Sequence, residues 1–168
     1  MTIKSNSIIK EIDVSEIIAM LNKAYADEWL AYYQYFTEAK VVKGIMKRSV
    51  LHELNEHAED ELRHANLLAD RILQLGGTPL LTPKEWFSQT NCGYMKPKKF
   101  DVKSILKEAI KGEQCAIVTY SKIAQKLKNK DIVTYDMVNK ILADEVEHEH
   151  DLQSIVEDIN DFVSSLKK

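Results

Sequence analysis

Asp60-Glu61-Leu62-Arg63-His64 and Asp144-Glu145-Val146-Glu147-His148 are two copies of one pentad, each inside a long segment with helical apolar periodicity. Residues three apart on a helix share a face, so each copy directs a carboxylate and an imidazole at a common point. Two further amphipathic segments each carry one glutamate in the apolar stripe, Glu28 and Glu113. In chain order the pattern is Glu, Glu-x-x-His, Glu, Glu-x-x-His. It reads as an all-α four-helix bundle with six metal-ligating side chains in its core.

Heptad neighbours decide whether those glutamates point inward, because residues seven apart lie nearly above one another. Glu28 stands between Leu21 and Tyr35, Glu61 between Leu54 and Leu68, Glu113 between Leu106 and Tyr120, and Glu145 between Val138 and Leu152. Every neighbour is apolar or aromatic, which puts the carboxylates in the core. The rival pair on the last helix, Glu147 with His150, fails this test. Its neighbours Lys140, Ser154, Ala143 and Glu157 describe a solvated face.

Carboxylates buried together cost several kcal/mol each if left ionised and unpaired. Two divalent cations neutralise four of them; a polar network without metal is the competing reading. Arg63 and Lys111 lie off the stripe, so no core base takes that role. Carboxylates with two imidazoles suit iron or manganese better than zinc. Glu61 and Glu145 each share a helix with a histidine and are expected to bridge both ions, with Glu28 and Glu113 terminal. Asp60 and Asp144 each precede a histidine by four positions, so each is expected to hydrogen-bond the outer nitrogen of the imidazole one turn on. Ordinary surface acidity is their alternative role. Tyr35, seven residues after Glu28, is a candidate electron donor or a plain core tyrosine.

The 168 residues read as a single domain, 1–168, with a short arm over 1–12. Helices are expected at about 14–42, 47–75, 102–127 and 132–163. Asp13 with Glu16 resembles a capping box, and Gly76-Gly77 is a helix stop. Thr82-Pro83-Lys84-Glu85 predicts a short capped helix inside the long second connection. Asn129-Lys130-Asp131 is a tight turn. Short first and third connections force antiparallel hairpins, and the long one lets the second and third long helices run parallel. After the last helix only Ser164 to Lys168 follow, which leaves no room for a fifth long helix.

Net charge is −3, from 23 Lys+Arg against 26 Asp+Glu. With only Lys4 and Lys10 in the arm and Lys167 and Lys168 in the tail, DNA binding is expected to be weak or absent. No run is apolar enough for a membrane span and the first ten residues lack a signal core, pointing to the cytoplasm. Two cysteines, Cys92 and Cys115, are too few for a four-cysteine zinc site.

These residues resemble the ferritin superfamily over nearly the whole chain. A complete six-ligand set in one subunit is similar to bacterioferritin, but Leu62 stands where that family carries its haem-ligating methionine, so no haem is expected. Rubrerythrin's Cys-x-x-Cys pairs are absent. The nearer resemblance is to Dps-like proteins, or thioferritins, which join a bacterioferritin-type site to a dodecameric cage and a cysteine pair. Cys115 in Glu113-Gln114-Cys115 and Cys92 in Asn91-Cys92-Gly93-Tyr94 match that pattern.

The resemblance implies two iron ions per subunit, with manganese or zinc able to substitute, held by Glu28, Glu61, His64, Glu113, Glu145 and His148. It implies ferroxidase activity with hydrogen peroxide ahead of O2, Fe3+ storage in a homo-oligomeric cage, and protection against oxidative stress. A 24-subunit bacterioferritin-type store and a stand-alone di-iron oxidase or peroxidase are the alternatives. It further implies a redox disulfide between Cys92 and Cys115. Helix geometry sets Cys115 about 200° round from Glu113, on the side away from the metals. Simple burial is the other reading of the cysteines.

Overall fold

Local capping chemistry sets the helix limits. The computed structural model describes residues 8–166, in which α1 spans Val14–Val41, α2 Lys47–Gln74, α3 Pro83–Gln89, α4 Val102–Leu127 and α5 Ile132–Ser165. Lys4, Lys167 and Lys168, named above for DNA binding, lie outside the described residues. Asp13 caps α1 by accepting from the Ser15 N–H at 2.9 Å. The expected return bond from Glu16 is not made, because its carboxylate pairs instead with Lys126 on α4. Thr82 and Glu85 form a complete capping box on α3, and the Thr82 N–H donates to Glu85 Oε2 at 2.9 Å.

α2 ends in a Schellman motif. The Gly77 N–H donates to Ile72 C=O and the Gly76 N–H to Leu73 C=O, both at 2.9 Å. Gly76 has φ +84°, a left-handed conformation that costs glycine little. A Cβ on Gly77 would sit 2.8 Å from Ile18, so α1 and the α2 terminus close together only because that residue has no side chain.

At the other hairpin, Asn129 takes a left-handed φ of +64° and Asp131 caps α5, accepting from the Thr134 N–H at 3.1 Å. Arg71 Nη2 reaches both oxygens of the fully buried Asp131, at 3.1 and 2.9 Å, and its Nε donates to Thr134 Oγ1 at 2.7 Å. This buried ion pair clamps the end of α2 to the start of α5. The sequence reading did not single it out.

The α2–α4 connection climbs alongside α1 from end to end. Leu80 N–H donates to Asn22 Oδ1 at 3.0 Å, Asn91 N–H to Asp27 Oδ1 at 2.8 Å, and Met95 N–H to Gln34 Oε1 at 3.3 Å. Trp86 of α3 stacks on Trp29 with ring centroids 5.0 Å apart. A parallel bridge between Lys43 and Asp101 closes the climb. The connection therefore delivers α4 parallel to α2, in the one-crossover, ferritin-like order expected. α1 packs mainly on α2 and α4 on α5. No helix is long and apolar enough to cross a membrane among the described residues.

The core is two apolar clusters with a polar layer between them. One contains Tyr35, Leu54, Leu106 and Leu152, and the other Leu21, Leu68, Tyr120 and Val138. All eight heptad neighbours of the four glutamates are buried. They divide evenly between the two clusters, so each inward glutamate has one apolar layer above it and one below.

Glu38 is buried elsewhere, at 0% exposure. Its Oε1 accepts from Gln34 Nε2 at 3.2 Å while Oε2 has no partner among the described residues. Burial pushes this carboxyl up to about 8, partly offset by the Gln34 bond and reinforced by the charge of Glu108. A carboxyl raised in the folded state binds its proton more tightly there, so its contribution is complete below the ordinary value of 4.5 and is lost as pH rises through about 8. Glu38→Gln should stabilise the metal-free protein by about 2–4 kcal/mol at pH 8 to 9, and by far less near pH 4.5. Thermal unfolding of both proteins across that range checks this; equal midpoints at pH 8 would reject it.

Candidate metal centre

Glu28 from α1, Glu61 and His64 from α2, Glu113 from α4, and Glu145 and His148 from α5 converge between the two clusters, each no more than 3% exposed. They fall into two overlapping sets. Glu28, Glu61, His64 and Glu145 place one ligand atom each within 4.8 Å of one another, and so do Glu61, Glu113, Glu145 and His148. Glu61 and Glu145 belong to both sets. His64 Nδ1 lies 3.4 Å from Glu28, 3.5 Å from Glu61 and 3.1 Å from Glu145. His148 Nδ1 lies 3.8 Å from each of Glu61, Glu113 and Glu145. The rival residues Glu147 and His150 are both exposed.

Five donor atoms of this layer are left without hydrogen bonds. Glu28 Oε2, both oxygens of Glu145, His64 Nδ1 and His148 Nδ1 are buried and unpartnered among the described residues. Such atoms are rare because each lost bond costs about 1–3 kcal/mol. Orphaned carboxylate oxygens and imidazole nitrogens aimed at two shared points fit two hard or borderline divalent cations.

The outer nitrogens are engaged, but not as the sequence spacing implied. His64 Nε2 lies 3.0 Å from Asp144 Oδ2, and His148 Nε2 lies 3.3 Å from Asp60 Oδ2. Each aspartate thus serves the histidine of the opposite helix, not the one a turn along its own. α2 and α5 bring their pentads face to face, which makes the cross-helix path the shorter one. Arg63 ties the arrangement, with Nη2 at 2.7 Å from Asp60 and 3.0 Å from Asp144. Both aspartates sit below the ordinary carboxylate range: burial acts to raise them, but bonds to Arg63 and to the facing histidine outweigh it.

Tyrosines make a second crossed set. Tyr35 of α1 donates to Glu113 of α4, and Tyr120 of α4 donates to Glu28 of α1. Tyr35 therefore orients a carboxylate, whichever redox role it has. Tyr120 was legible only as a heptad neighbour. His57 was missed altogether: it is 2% exposed and stacks on His148 with centroids 4.0 Å apart. Burial and the neighbouring His148 push its imidazole down to about 3.

Burial and mutual charge shift the titration of the layer's carboxyls and of His64. Burial, followed by the charges of Glu145 and Glu28, lifts Glu61 well above the usual carboxylate range. Burial and Glu145 do the same for Glu113. Burial also works to raise Glu28, but Glu61 and the imidazole of His64 close beside it leave it lowered. Burial works to lower His64, but the carboxylates of Glu145, Glu28 and Glu61 beside its Nδ1 outweigh it and leave it raised.

A cavity of about 130 Å³ leads to this layer between α1 and α4, space for several waters or a small oxidant. Cys92 and Cys115 are joined as a disulfide on its wall, with Cα atoms 5.8 Å apart. The helical angle directed Cys115 away from Glu113, yet both line this cavity, because the crossover folds over the α1–α4 groove. Asp27 holds it there, accepting from Thr90 Oγ1, from Asn91 N–H at 2.8 Å and from Cys92 N–H at 2.9 Å.

The crossed pairing has a distinct consequence. Asp144→Ala should shift the ring ¹⁵N resonances of His64 and weaken metal binding at the Glu28–His64 half by about 10–100-fold, while Asp60→Ala should act on His148. Nuclear magnetic resonance and metal titration separate the two. The reverse assignment, each aspartate acting on its own helix, would refute the crossed pairing.

Comparison with known proteins agrees with this architecture. Residues 18–162 match the ferritin-like domain family. The bacterioferritin-related protein of Bacteroides fragilis, a dodecameric thioferritin, superposes with a TM-score of 0.92 at 46% identity, covering 94% of both chains. The DNA protection during starvation protein of Pyrococcus furiosus is 30% identical over 140 residues, 82% of this chain and 75% of that one. A bacterioferritin of Desulfovibrio desulfuricans is 30% identical over 135 residues, 80% of this chain and 70% of its own length. The chain belongs to the ferritin-like family.

Proposed function

We propose that this protein is a Dps-like ferroxidase of the thioferritin type. It oxidises two Fe2+ per chain at the six-residue centre and stores the Fe3+ inside a homo-oligomeric cage. The observation that carries this reading is the pair of ligand sets sharing Glu61 and Glu145, with five of their donor atoms unpartnered among the described residues. Two Fe2+ enter as substrate, with manganese or zinc able to take their places. Glu61 and Glu145 span both positions, Glu28 with His64 completes one, and Glu113 with His148 the other. Asp144 and Asp60 orient the imidazoles, and Tyr120 and Tyr35 each fix one oxygen of a terminal carboxylate.

Hydrogen peroxide is the preferred oxidant and O2 the alternative. Each Fe2+ gives up one electron; peroxide takes both with two protons, its O–O bond breaks, and two waters form. Consuming Fe2+ and peroxide together removes the reactants for hydroxyl radical, which is the protective role. The B. fragilis relative is dodecameric, which supports twelve subunits over a 24-subunit bacterioferritin-type store or a stand-alone oxidase. Leu62 occupies the haem-methionine position, so haem plays no part. DNA binding is weak or absent at a net charge of −3, and the protein works in the cytoplasm. Cys92 and Cys115 act as a reversible thiol pair: two thiols and one peroxide give a disulfide and two waters.

Glu61→Ala or Glu145→Ala should abolish fast Fe2+ oxidation while the helical circular dichroism of the metal-free chain persists, because each change removes a shared ligand and a buried polar group without leaving an unpaired one in its place. Stopped-flow oxidation within about twofold of wild type would show that these residues do not bridge. Stoichiometry separates the oxidants: about two Fe2+ per peroxide, with slower turnover on O2, supports the preference, and faster turnover on O2 overturns it. After reduction, peroxide should re-form the Cys92–Cys115 bond by mass spectrometry. Two free thiols would return the cysteines to packing.

A further inference from the structure

The six-residue centre has two sides. α1 and α4 flank the cavity that carries the disulfide, and α2 and α5 flank the opposite side of the bundle. On that second side lies a cavity of about 190 Å³ whose lining includes Glu53, Glu56, His57, Asp60, Asp144 and Asp151. Its acidic residues alone would be an ordinary solvated face. His57 makes it something else.

His57 is 2% exposed, its Nδ1 is buried without a partner, and among the described residues neither ring nitrogen makes a hydrogen bond. Nε2 is aimed at Glu53, but at 3.8 Å from Oε2 it is beyond bonding range. A buried imidazole with no partner is costly and uncommon. Stacking against His148 and an edge contact with Tyr35, centroids 5.4 Å apart, fix the ring so that it cannot turn to find one. One ring nitrogen lies with single carboxylate oxygens of Glu53 and Asp151 inside a 4.8 Å cluster. Another 4.8 Å cluster links His57 to Glu113 and His148 of the centre. The same imidazole thus touches the inner layer on one side and the acidic cavity on the other.

We propose that Glu53, His57 and Asp151 form a third cation site, on which iron rests as it passes from the centre to the α2–α5 surface. The site rests on the ferroxidase reading for its cargo, though not for its existence. One imidazole and two carboxylates, with remaining positions open to water, suit first-row cations such as Fe2+, Mn2+ and Zn2+. Glu53 and Asp151 are half-buried, so an ion held there is reachable from solvent, unlike one held among Glu28, Glu61, Glu113 and Glu145. The carboxyl of Glu53 is raised, by burial and then by the charges of Asp151 and Glu56, a mutual repulsion that a bound cation relieves.

Zn2+ is a suitable probe because it neither reacts with peroxide nor changes oxidation state. Crystals of the full chain equilibrated with Zn2+ should show three anomalous peaks per chain, the third at about 2.0–2.2 Å from His57, Glu53 and Asp151. Equilibrium dialysis should then find about one ion fewer per chain in the Glu53→Gln/Asp151→Asn double variant, a conservative change at partly exposed positions. The affinity of that ion should fall by at least the 10–100-fold (about 1.4–2.7 kcal/mol) that loss of an outer partner costs. His57→Ala should remove the same ion. Two peaks only, both in the six-residue centre, would overturn the third site. So would a third ion that survives the double variant. A filled third site beside an empty centre would overturn the ferroxidase reading and leave this one standing.

Discussion

Everything in this fold answers to one constraint: four carboxylates and two imidazoles are enclosed between two apolar clusters. An enclosed carboxylate is expensive unless it is protonated, hydrogen-bonded or joined to a cation. Here the layer leaves five donor atoms unpartnered (one oxygen of Glu28, both of Glu145, and the Nδ1 atoms of His64 and His148) while Glu61 and Glu113 hold protons far more tightly than usual. The apolar clusters above and below must therefore supply the stability of the metal-free chain. Anything that binds this layer only in the folded state adds to that stability by mass action.

The bracing around the layer is crossed throughout. Asp144 of α5 reaches His64 of α2, Asp60 of α2 reaches His148 of α5, Tyr35 of α1 reaches Glu113 of α4, and Tyr120 of α4 reaches Glu28 of α1. An intrahelical brace would fix a side chain relative to its own backbone. A cross-helix brace also fixes the spacing between helices, which sets the separation of the two ligand sets. The two crossings make the α1–α2 and α4–α5 hairpins reciprocal, since each half presents to the other what it receives. Arg63 breaks that symmetry, as a single guanidinium serves both aspartates.

How much of this was legible depended on whether periodicity or pairing carried the information. Glu28, Glu61, Glu113 and Glu145 were found because residues seven apart on a helix share an environment, and their neighbours are all apolar. The capped helix at Thr82 and the stop at Gly76-Gly77 were legible because capping is local chemistry. The partners of Asp60 and Asp144 were misassigned because spacing along one helix says nothing of the helix facing it. Cys115 was directed away from the centre by its angle on α4; that angle omits the crossover, which bends over the α1–α4 groove and carries Cys92 to it. His57 escaped because it falls four residues before Glu61, off the pentad. Its heptad neighbours are Val50 and His64, and that one apolar neighbour alone does not distinguish a functional imidazole from a packed one.

The crossover shows how a connection without regular structure can be as fixed as a helix. Its backbone is held at Asn22, Asp27 and Gln34, successive stations along α1, and at Lys43 just beyond that helix. Asp27 is central to this. Its carboxyl is raised by burial, and bonds from Thr90, Asn91 and Cys92 then act to lower it. A group in that position takes hydrogen bonds from whatever chain is near, and the chain near it is the turn that carries Cys92. The residue adjoining the glutamate of α1 thereby holds the disulfide at the mouth of the cavity above that glutamate. The crossover lies over the cavity on the α1–α4 side, and acidic residues surround His57 in the cavity on the α2–α5 side. The six inner side chains sit between two openings of different character, one sulfur-lined and mostly apolar, the other charged.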